Sequence, residues 1–235
     1  MSELIEKALQ NSTDTKQIVT GRGVLDQTGK VFKELFGDAR AIVIADENTW
    51  QVAGDQVTAS LRDAGIELEE PYIFPGKPTL YAGYENVTTL REALKPIDAV
   101  AVSIASGTLN DITKLASGEL ERPYMNVCTA ASMDGYAAFG ASITRDGFKI
   151  TRNCPAPAGL VADYDVLAAA PARLTATGLG DLIEKVPGGA DWLVADELGI
   201  EAVDDYVWDL VQGPLRDALS RPDDLAAGDP EAIQG

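Results

Sequence analysis

Apolar positions along this chain fall into short continuous runs separated by longer stretches of helical period. Three of the runs have the length and continuity of buried parallel strands, and they cover residues 40–45, 98–104 and 124–128. Amphipathic helical patterns lie between or after the runs, at residues 25–36, 51–64 and 84–94 and after residue 111. Strands that alternate with helices of this length form a parallel sheet covered on both faces, so the pattern predicts an α/β fold.

The remaining segments give weaker signals. We expect short strands at residues 17–20, 68–74, 148–151 and 160–161. We expect helices at residues 3–9, 173–186, 190–198 and 204–219, with another helix starting near residue 231. Because helix follows helix after residue 171, the change of pattern predicts a domain boundary between residues 163 and 171.

Composition limits the classes of function. The 235 residues are 46% hydrophobic, which is enough for a folded core, and the net charge is −18. No basic patch is visible that would neutralise phosphates, so we expect no nucleic-acid partner. There is no apolar run of about 18 residues, so no membrane span is expected. Residues 1–16 lack the apolar centre of a secretory signal, and we therefore expect a cytoplasmic protein.

The chain has no histidine and two widely spaced cysteines, Cys128 and Cys154. Neither cysteine belongs to a C-x-x-C pair, so we expect two small buried side chains rather than a metal site. A metal-dependent enzyme with this composition must use carboxylates, other ligands or groups outside the chain.

Candidate chemistry lies at the carboxyl ends of the three strongest strands, where α/β sheets bind ligands. After the first strand, Asp46 is placed to accept hydrogen bonds from an adenosine ribose and to repel a 2′-phosphate, although a helix N-cap is the simpler interpretation. After the second, Gly107 in Ser106-Gly107-Thr108 lets the backbone approach a phosphate at a helix start; an ordinary strand-to-helix turn is the alternative. The fragment at residues 21–23 (GRG) does not complete a dinucleotide fingerprint.

The third strand leads into residues 129–136 (TAASMDGY). Hydroxyls, small residues and a carboxylate in this order suit close contact with a ligand. The alternative is that Ser132 or Asp134 caps a helix beginning near Gly135. Further on, Asp181 follows two glycines that leave room for a ligand, and its oxygens suit a divalent ion; Lys185, one turn later, is placed to pair with it.

Together these segments resemble the sn-glycerol-1-phosphate dehydrogenases, in the superfamily of iron-containing alcohol dehydrogenases, glycerol dehydrogenases and dehydroquinate synthases. The motifs are SGTLND at residues 106–111, TAASMDGY at 129–136, GFK at 147–149, AP at 156–157, GLGDLIEK at 178–185 and DW at 191–192. Their order and spacing agree with the family from about residue 20 to residue 192.

The resemblance implies a Rossmann-like, parallel-sheet nucleotide-binding domain at residues 1–165, followed by the start of an all-helical domain at residues 166–235. It implies interconversion of dihydroxyacetone phosphate and sn-glycerol 1-phosphate with NAD or NADP and a divalent metal, zinc or nickel. Asp46 favours NAD over NADP but does not decide between them. A homo-oligomer is compatible with the resemblance, and the sequence does not indicate an oligomeric state.

The resemblance also assigns residues. Asp134 would contact the substrate and Asp181 would bind metal and substrate, so these two aspartates are the candidate catalytic residues. The cofactor would contact Asp46, Gly107, Thr108, Leu109, Asn110, Asp111, Thr129, Ala130, Ala131 and Ser132.

Three departures from the family pattern bear on activity. Ala105 replaces a glycine, Ala138 replaces a serine that contacts the cofactor, and the two histidines that complete the family's metal site are absent. We therefore expect an amino-terminal portion of such an enzyme, with negligible turnover alone and an uncovered apolar surface on the helices after residue 173. A glycerol dehydrogenase, a cyclase of the dehydroquinate synthase type and a non-catalytic nucleotide-binding module remain as alternatives.

Overall fold

A six-stranded parallel sheet forms the centre of the protein in a computed structural model that describes residues 3–234. Its strands, in the order β1-β8-β5-β4-β2-β3, are β1 Gln17–Gly21, β2 Ala41–Asp46, β3 Tyr72–Phe74, β4 Val100–Ala105, β5 Tyr124–Cys128 and β8 Gly159–Asp163. Strands β6 (Ala141–Arg145) and β7 (Phe148–Arg152) form a separate antiparallel hairpin. The predicted α/β class is confirmed.

Helices cover both faces of the sheet and then continue without further strands. They are α1 Glu3–Asn11, α2 Thr28–Phe36, α3 Glu47–Thr49, α4 Asp55–Asp63, α5 Tyr84–Leu94, α6 Gly107–Glu119, α7 Tyr164–Ala168, α8 Ala172–Glu197, α9 Asp205–Leu219, α10 Pro222–Ala226 and α11 Pro230–Gln234. Helix α11 returns to pack against α7, beside the end of β8. The division of the chain into two domains at residue 165 stays a prediction.

The alternating side chains of β2 show how the core forms. Val43 points to the face covered by α2 and α4, where Phe32 and Leu61 are buried. Ile42 and Ile44 point to the face covered by α5 and α6. Burying a side chain of this size stabilises the fold by about 1.5–3 kcal/mol, so continuous apolar runs are found where both faces are covered.

Two predicted elements differ near the β2–β3 edge. The helix predicted at residues 51–64 begins earlier, at α3, because Asp46 caps it; it then passes through a wide turn, Trp50–Gly54, into α4. The strand predicted at residues 68–74 forms as an isolated bridge between Leu68 and Ala41 and then as β3. Pro71, which precedes β3, has no N–H group to give to the ladder.

Three other expectations on helices are corrected. The helices predicted at residues 173–186 and 190–198 form one helix, α8 (Ala172–Glu197), in which Pro187 removes one hydrogen bond without ending the helix. Residues 107–111 are the first turns of α6 rather than a loop. Only a single 3₁₀ turn, Gly135–Ala137, forms where a longer helix was considered.

The later helices expose apolar side chains. Helices α8 and α9 pack against each other, with the rings of Trp192 and Trp208 at 6.3 Å between centroids. The side chains that remain exposed on this pair include Ile183, Val186, Leu193, Val194, Leu198, Val207 and Val211. Within residues 3–234, no helix is both long enough and apolar enough to cross a membrane. Cys128 and Cys154 are buried and unpaired, as predicted.

Candidate active site

A cavity of about 520 Å³ opens at the carboxyl ends of the strands. It lies where the chain changes direction across the sheet, since β2 leads outward to β3 and β4 leads the other way to β5. Such a switch point is where open α/β sheets bind ligands. The lining residues come from four strand ends and include Asp46, Gly76, Lys77, Ser106, Thr108, Leu109, Thr129 and Arg173.

Asp46 is fixed by a reciprocal cap at the start of α3. Its Oδ1 accepts hydrogen bonds from the N–H groups of Asn48 (2.8 Å) and Thr49 (3.0 Å), and Thr49 Oγ1 accepts the Asp46 N–H (3.0 Å). The N-cap interpretation is therefore confirmed. The other oxygen, Oδ2, has no partner among the described residues, so the cap leaves it free for a ligand hydroxyl.

The amino-terminal end of α6 forms the central wall of the cavity. Within residues 3–234, the hydroxyls of Ser106, Thr108 and Thr129 have no hydrogen-bond partner, and all three residues line the cavity. A Cβ added to Gly107 would lie 3.0 Å from Met133 Sδ. That glycine therefore lets the loop after β5 pack against the helix start, and its N–H donates to Ser132 Oγ. The N–H groups of Thr108 and Leu109, in the same first turn of α6, lie where a helix offers hydrogen bonds to an anion.

Side chains in the first turn of α6 divide between the cavity and the protein interior. Leu109 lines the cavity, but Asn110 Oδ1 accepts the Tyr124 hydroxyl (3.0 Å) and Asp111 Oδ2 accepts the Ser142 N–H (3.1 Å). Burial raises the pKa of Asp111, an effect that the Lys114 ammonium partly opposes. These two side chains are engaged inside the protein, because helical period turns them away from the exposed side of the first turn. The contact of Asn110 and Asp111 with the cofactor stays a prediction.

Lys114 is a fully buried cation that the motif analysis did not single out. Its ammonium donates to the carbonyls of Gly135 (3.1 Å), Ala138 (2.8 Å) and Gly140 (3.1 Å). Burial lowers the pKa of Lys114, and nearby Asp111 raises it in part. The three contacts fix the backbone that follows Asp134. The signal in the sequence is the Asp-x-x-Lys pair, which places opposite charges on one face of an otherwise buried helix.

The loop after β5 is fixed by a close approach of α8. A Cβ added to Gly178 would lie 2.1 Å from the Ala131 carbonyl oxygen, whereas one added to Gly180 meets nothing within 4 Å. Thr177 Oγ1 also donates to the Ser132 carbonyl (3.3 Å). Gly178 therefore makes room for protein backbone, which corrects the expectation that both glycines leave room for a ligand.

The residues of this loop divide between two sides. Thr129 lines the large cavity, while Ala131 lines a second cavity of about 100 Å³ together with Asp134. Ala130 is fully buried and its carbonyl accepts the Tyr136 hydroxyl (2.7 Å). Ser132 Oγ lies 3.4 Å from the Gly107 nitrogen. The structure thus brings Asp46, Thr108, Leu109 and Thr129 to the large cavity, whereas Ala131 lines the second cavity.

Asp134 and Asp181 meet between this loop and α8. The Asp134 N–H donates to Asp181 Oδ2 (3.0 Å), and Lys185 Nζ lies 2.9 Å from Asp134 Oδ2. Partial burial raises the pKa of Asp134, and the Asp134 carboxylate raises the pKa of Lys185. Two expectations are corrected: Lys185 pairs with Asp134 rather than with Asp181, and neither Ser132 nor Asp134 caps a helix with its side chain.

The described residues do not form a metal site by themselves. No group of three or more histidine, cysteine, aspartate or glutamate side chains within residues 3–234 is placed to hold an ion. Asp181 accepts a backbone N–H, and the charge beside Asp134 is the Lys185 ammonium. One or two carboxylate ligands do not close a tetrahedral zinc site.

Asp163, at the end of β8, is a buried carboxylate that sequence reasoning also missed. It accepts the N–H groups of Gly23 (3.2 Å), Leu25 (3.2 Å) and Asp165 (3.0 Å). These bonds fix the segment after β1 and start α7, whose carboxyl-terminal end borders the large cavity. Its position directly after an apolar strand is the signal that was available.

Comparisons with known proteins agree with this geometry. Residues 19–171 match the family model for iron-containing alcohol dehydrogenases. A glycerol-1-phosphate dehydrogenase [NAD(P)+] from Halalkalibacterium halodurans is 31% identical over 93% of this chain; the chain spans 55% of that relative's length.

Two solved structures share the fold. A probable glycerol dehydrogenase from Sinorhizobium meliloti has a TM-score of 0.70 at 18% identity, covering 94% of this chain and 61% of its own. The 2-epi-5-epi-valiolone synthase ValA from Streptomyces hygroscopicus, with NAD+ and Zn2+ bound, has a TM-score of 0.59 at 20% identity, covering 86% of this chain and 61% of its own.

Proposed function

This chain belongs to the iron-containing alcohol dehydrogenase family, and from that premise we propose that it forms the cofactor-binding part of an NAD(P)-dependent oxidoreductase. The reaction that we propose for the whole enzyme is the interconversion of dihydroxyacetone phosphate and sn-glycerol 1-phosphate. The names of its curated relatives and the motifs at residues 106–111, 129–136 and 178–185 support this substrate pair.

One observation carries the cofactor proposal. A free carboxylate oxygen on Asp46, unpaired hydroxyls on Thr108 and Thr129, and the start of the 13-residue helix α6 line one cavity at the sheet's switch point. The free N–H groups and dipole of a helix start favour a phosphate, and a carboxylate at the end of β2 favours ribose hydroxyls. Together these groups suit a dinucleotide that crosses the ends of β2, β4 and β5.

The paired aspartates support the substrate half of the proposal. Asp134 lines the second cavity with Ala131 and receives Asp181 at its N–H, whereas Thr129 lines the nucleotide cavity. The close approach at Gly178 fixes the loop at Ala131, and Lys114 fixes the backbone that follows Asp134. A bound nicotinamide would supply hydride transfer to the substrate carbonyl. The role of this chain's residues is to orient the two partners on either side of the 129–132 loop, which favours reaction through proximity.

Metal dependence remains a prediction from the family. Asp181 is the residue that we propose as a ligand, and closing the site would require ligands beyond the described residues.

Two measurements on the purified chain test the proposal. Titration with NADH should show saturable binding, seen as a change in nicotinamide fluorescence. Oxidation of NADH with dihydroxyacetone phosphate and added zinc or nickel should show negligible turnover. The absence of saturable binding would contradict the cofactor assignment, and substantial turnover would contradict the conclusion that the metal site is incomplete.

The non-catalytic nucleotide-binding module remains a second candidate. It is favoured by the Lys185–Asp134 pair, which neutralises one of the two candidate catalytic carboxylates without a metal. A module that functions alone should cover its apolar surface, and the exposed side chains of α8 and α9 favour the enzyme proposal instead.

A further inference from the structure

Two cations without ion-pair partners line the large cavity. Lys77 follows β3 on one wall, and Arg173 lies in the first turn of α8 on the other. Neither side chain forms an ion pair or a hydrogen bond within the described part of the chain. In a chain with a net charge of −18, two unpaired cations facing one cavity indicate an anionic ligand.

Lys77 is held close to Asp46. The parallel register places Asp46 opposite Phe74, the last residue of β3. Two residues later, the Gly76 N–H donates to Glu47 Oε2 (3.0 Å), and Glu47 is the neighbour of Asp46. The backbone just before Lys77 is therefore tied to the segment that presents Asp46 to the cavity.

We propose that Lys77 is the residue that allows a 2′-phosphorylated cofactor beside Asp46, so that the cavity accepts NADPH as well as NADH. This inference rests on the proposed function. A carboxylate at the end of β2 accepts the ribose hydroxyls of NADH and repels a 2′-phosphate. An ammonium on a flexible four-carbon stem beside it supplies the counter-charge that this phosphate lacks.

Arg173 reaches the cavity from the side of β8, since it lies in the first turn of α8, the second helix after that strand. β8 is three strands away from β2 in the sheet order. Neighbouring strands are about 4.8 Å apart, so the ends of β2 and β8 are separated by roughly 14 Å. A phosphate beside Arg173 would be part of the pyrophosphate that both cofactors contain. Arg173 therefore serves as the internal comparison for Lys77.

The experiment compares dissociation constants for NADH and NADPH, measured by fluorescence titration of the full chain. In K77M the affinity for NADPH should fall about tenfold or more, as expected for the loss of a charged hydrogen-bond partner, while the affinity for NADH changes less than about twofold. K77R should restore NADPH binding. K95M removes an equal charge from an exposed site outside the cavity and should leave both constants unchanged.

Three outcomes would overturn the assignment. They are an unchanged NADPH-to-NADH ratio in K77M, a ratio that changes in R173M instead of K77M, and a K95M variant that reproduces the effect. A wild-type chain that binds neither nucleotide would remove the proposed function together with this inference. A chain that binds NADH with no effect of K77M would remove the inference alone. Thermal unfolding of K77M should match wild type because Lys77 is exposed.

Discussion

At the scale of single residues, the two oxygens of Asp46 have separate tasks. One oxygen caps α3, and the other is free at the cavity. D46N should keep the cap and remove the charge, so unfolding free energy should change by less than about 0.5 kcal/mol while NADPH binding strengthens relative to NADH. D46A should lose the cap as well, at a cost of about 1 kcal/mol. Urea unfolding and paired cofactor titrations measure both effects; a D46N variant with an unchanged cofactor ratio would contradict the ribose assignment.

Asp111 gives a second test at this scale. Its pKa is raised in the folded state, so the folded protein binds more protons than the unfolded chain as pH rises above the usual value of 3.8. The free energy of unfolding therefore falls as pH rises from 3.8 to the higher pKa of the folded state, because the buried side chain must then carry its charge. D111N keeps an acceptor for Ser142 and removes this effect.

The expected result for D111N is a stability difference from wild type that grows with pH from about 4 upward and then levels off. Urea unfolding between pH 3 and pH 7 measures this difference. Affinity for NADH should stay within about twofold, since the side chain faces the β6–β7 hairpin rather than the cavity. A stability difference that does not change with pH would contradict the raised pKa of Asp111. A large loss of NADH affinity would instead support the predicted contact of Asp111 with the cofactor.

At the scale of elements, the contact between α8 and the 129–134 loop decides whether the two halves of the site stay aligned. G178A places a Cβ 2.1 Å from a carbonyl oxygen, so we expect a loss of about 1–3 kcal/mol or more in unfolding free energy. G180A adds the same methyl group at a position with no neighbouring atom within 4 Å. Its unfolding free energy should rise by about 0.5–1 kcal/mol, because alanine favours a helix over glycine. Equal effects of the two substitutions in urea unfolding would show that this contact is not tight.

Elements that depend on local pattern could be predicted, and those that depend on distant contacts could not. The bounds of α5 agree with the prediction, and those of β2 differ by one residue at each end. Both elements bury apolar side chains at the spacing that is characteristic of a helix or a buried strand, so their sequence pattern reveals them. The pattern predicts two helices, at residues 173–186 and 190–198, where the structure has the single helix α8. Local sequence does not show that the helix continues through Pro187.

The ion-pair and hydrogen-bond partners of the site residues also depend on distant contacts, so local sequence does not predict them. Helical spacing suggested that Lys185 pairs with Asp181, four residues away. The actual partner of Lys185 is Asp134. Asp134 lies beside α8 because Gly178, which has no side chain, lets the loop after β5 pack against that helix. The position of Asp46 at the cavity can be predicted from the sequence because it needs only the end of a strand. The buried roles of Asn110 and Asp111 required knowledge of where α6 begins.

At the scale of the whole molecule, the exposed apolar side chains of α8 and α9 contrast with an acidic surface. We expect the chain to bind an apolar fluorescent dye in its folded state, and substitution of exposed Leu193 and Leu198 by glutamine to reduce that signal. I150Q, at an exposed apolar position on β7 and outside the large cavity, is the control. Dye binding that is absent, or equal in all variants, would favour the self-contained nucleotide module.

The central claim is that the cavity between β2, β4 and β5 binds a nicotinamide dinucleotide through the start of α6. Its most direct test is a fluorescence titration of the chain with NADH, comparing wild type with T108V, which removes a free hydroxyl and keeps the shape of the side chain. T89V, on the exposed side of α5, is the matched control. We predict saturable binding by wild type and T89V, and binding weakened about fivefold in T108V, as for the loss of one hydrogen bond. The absence of saturable binding by wild type, or equal affinities in all three proteins, would contradict the claim.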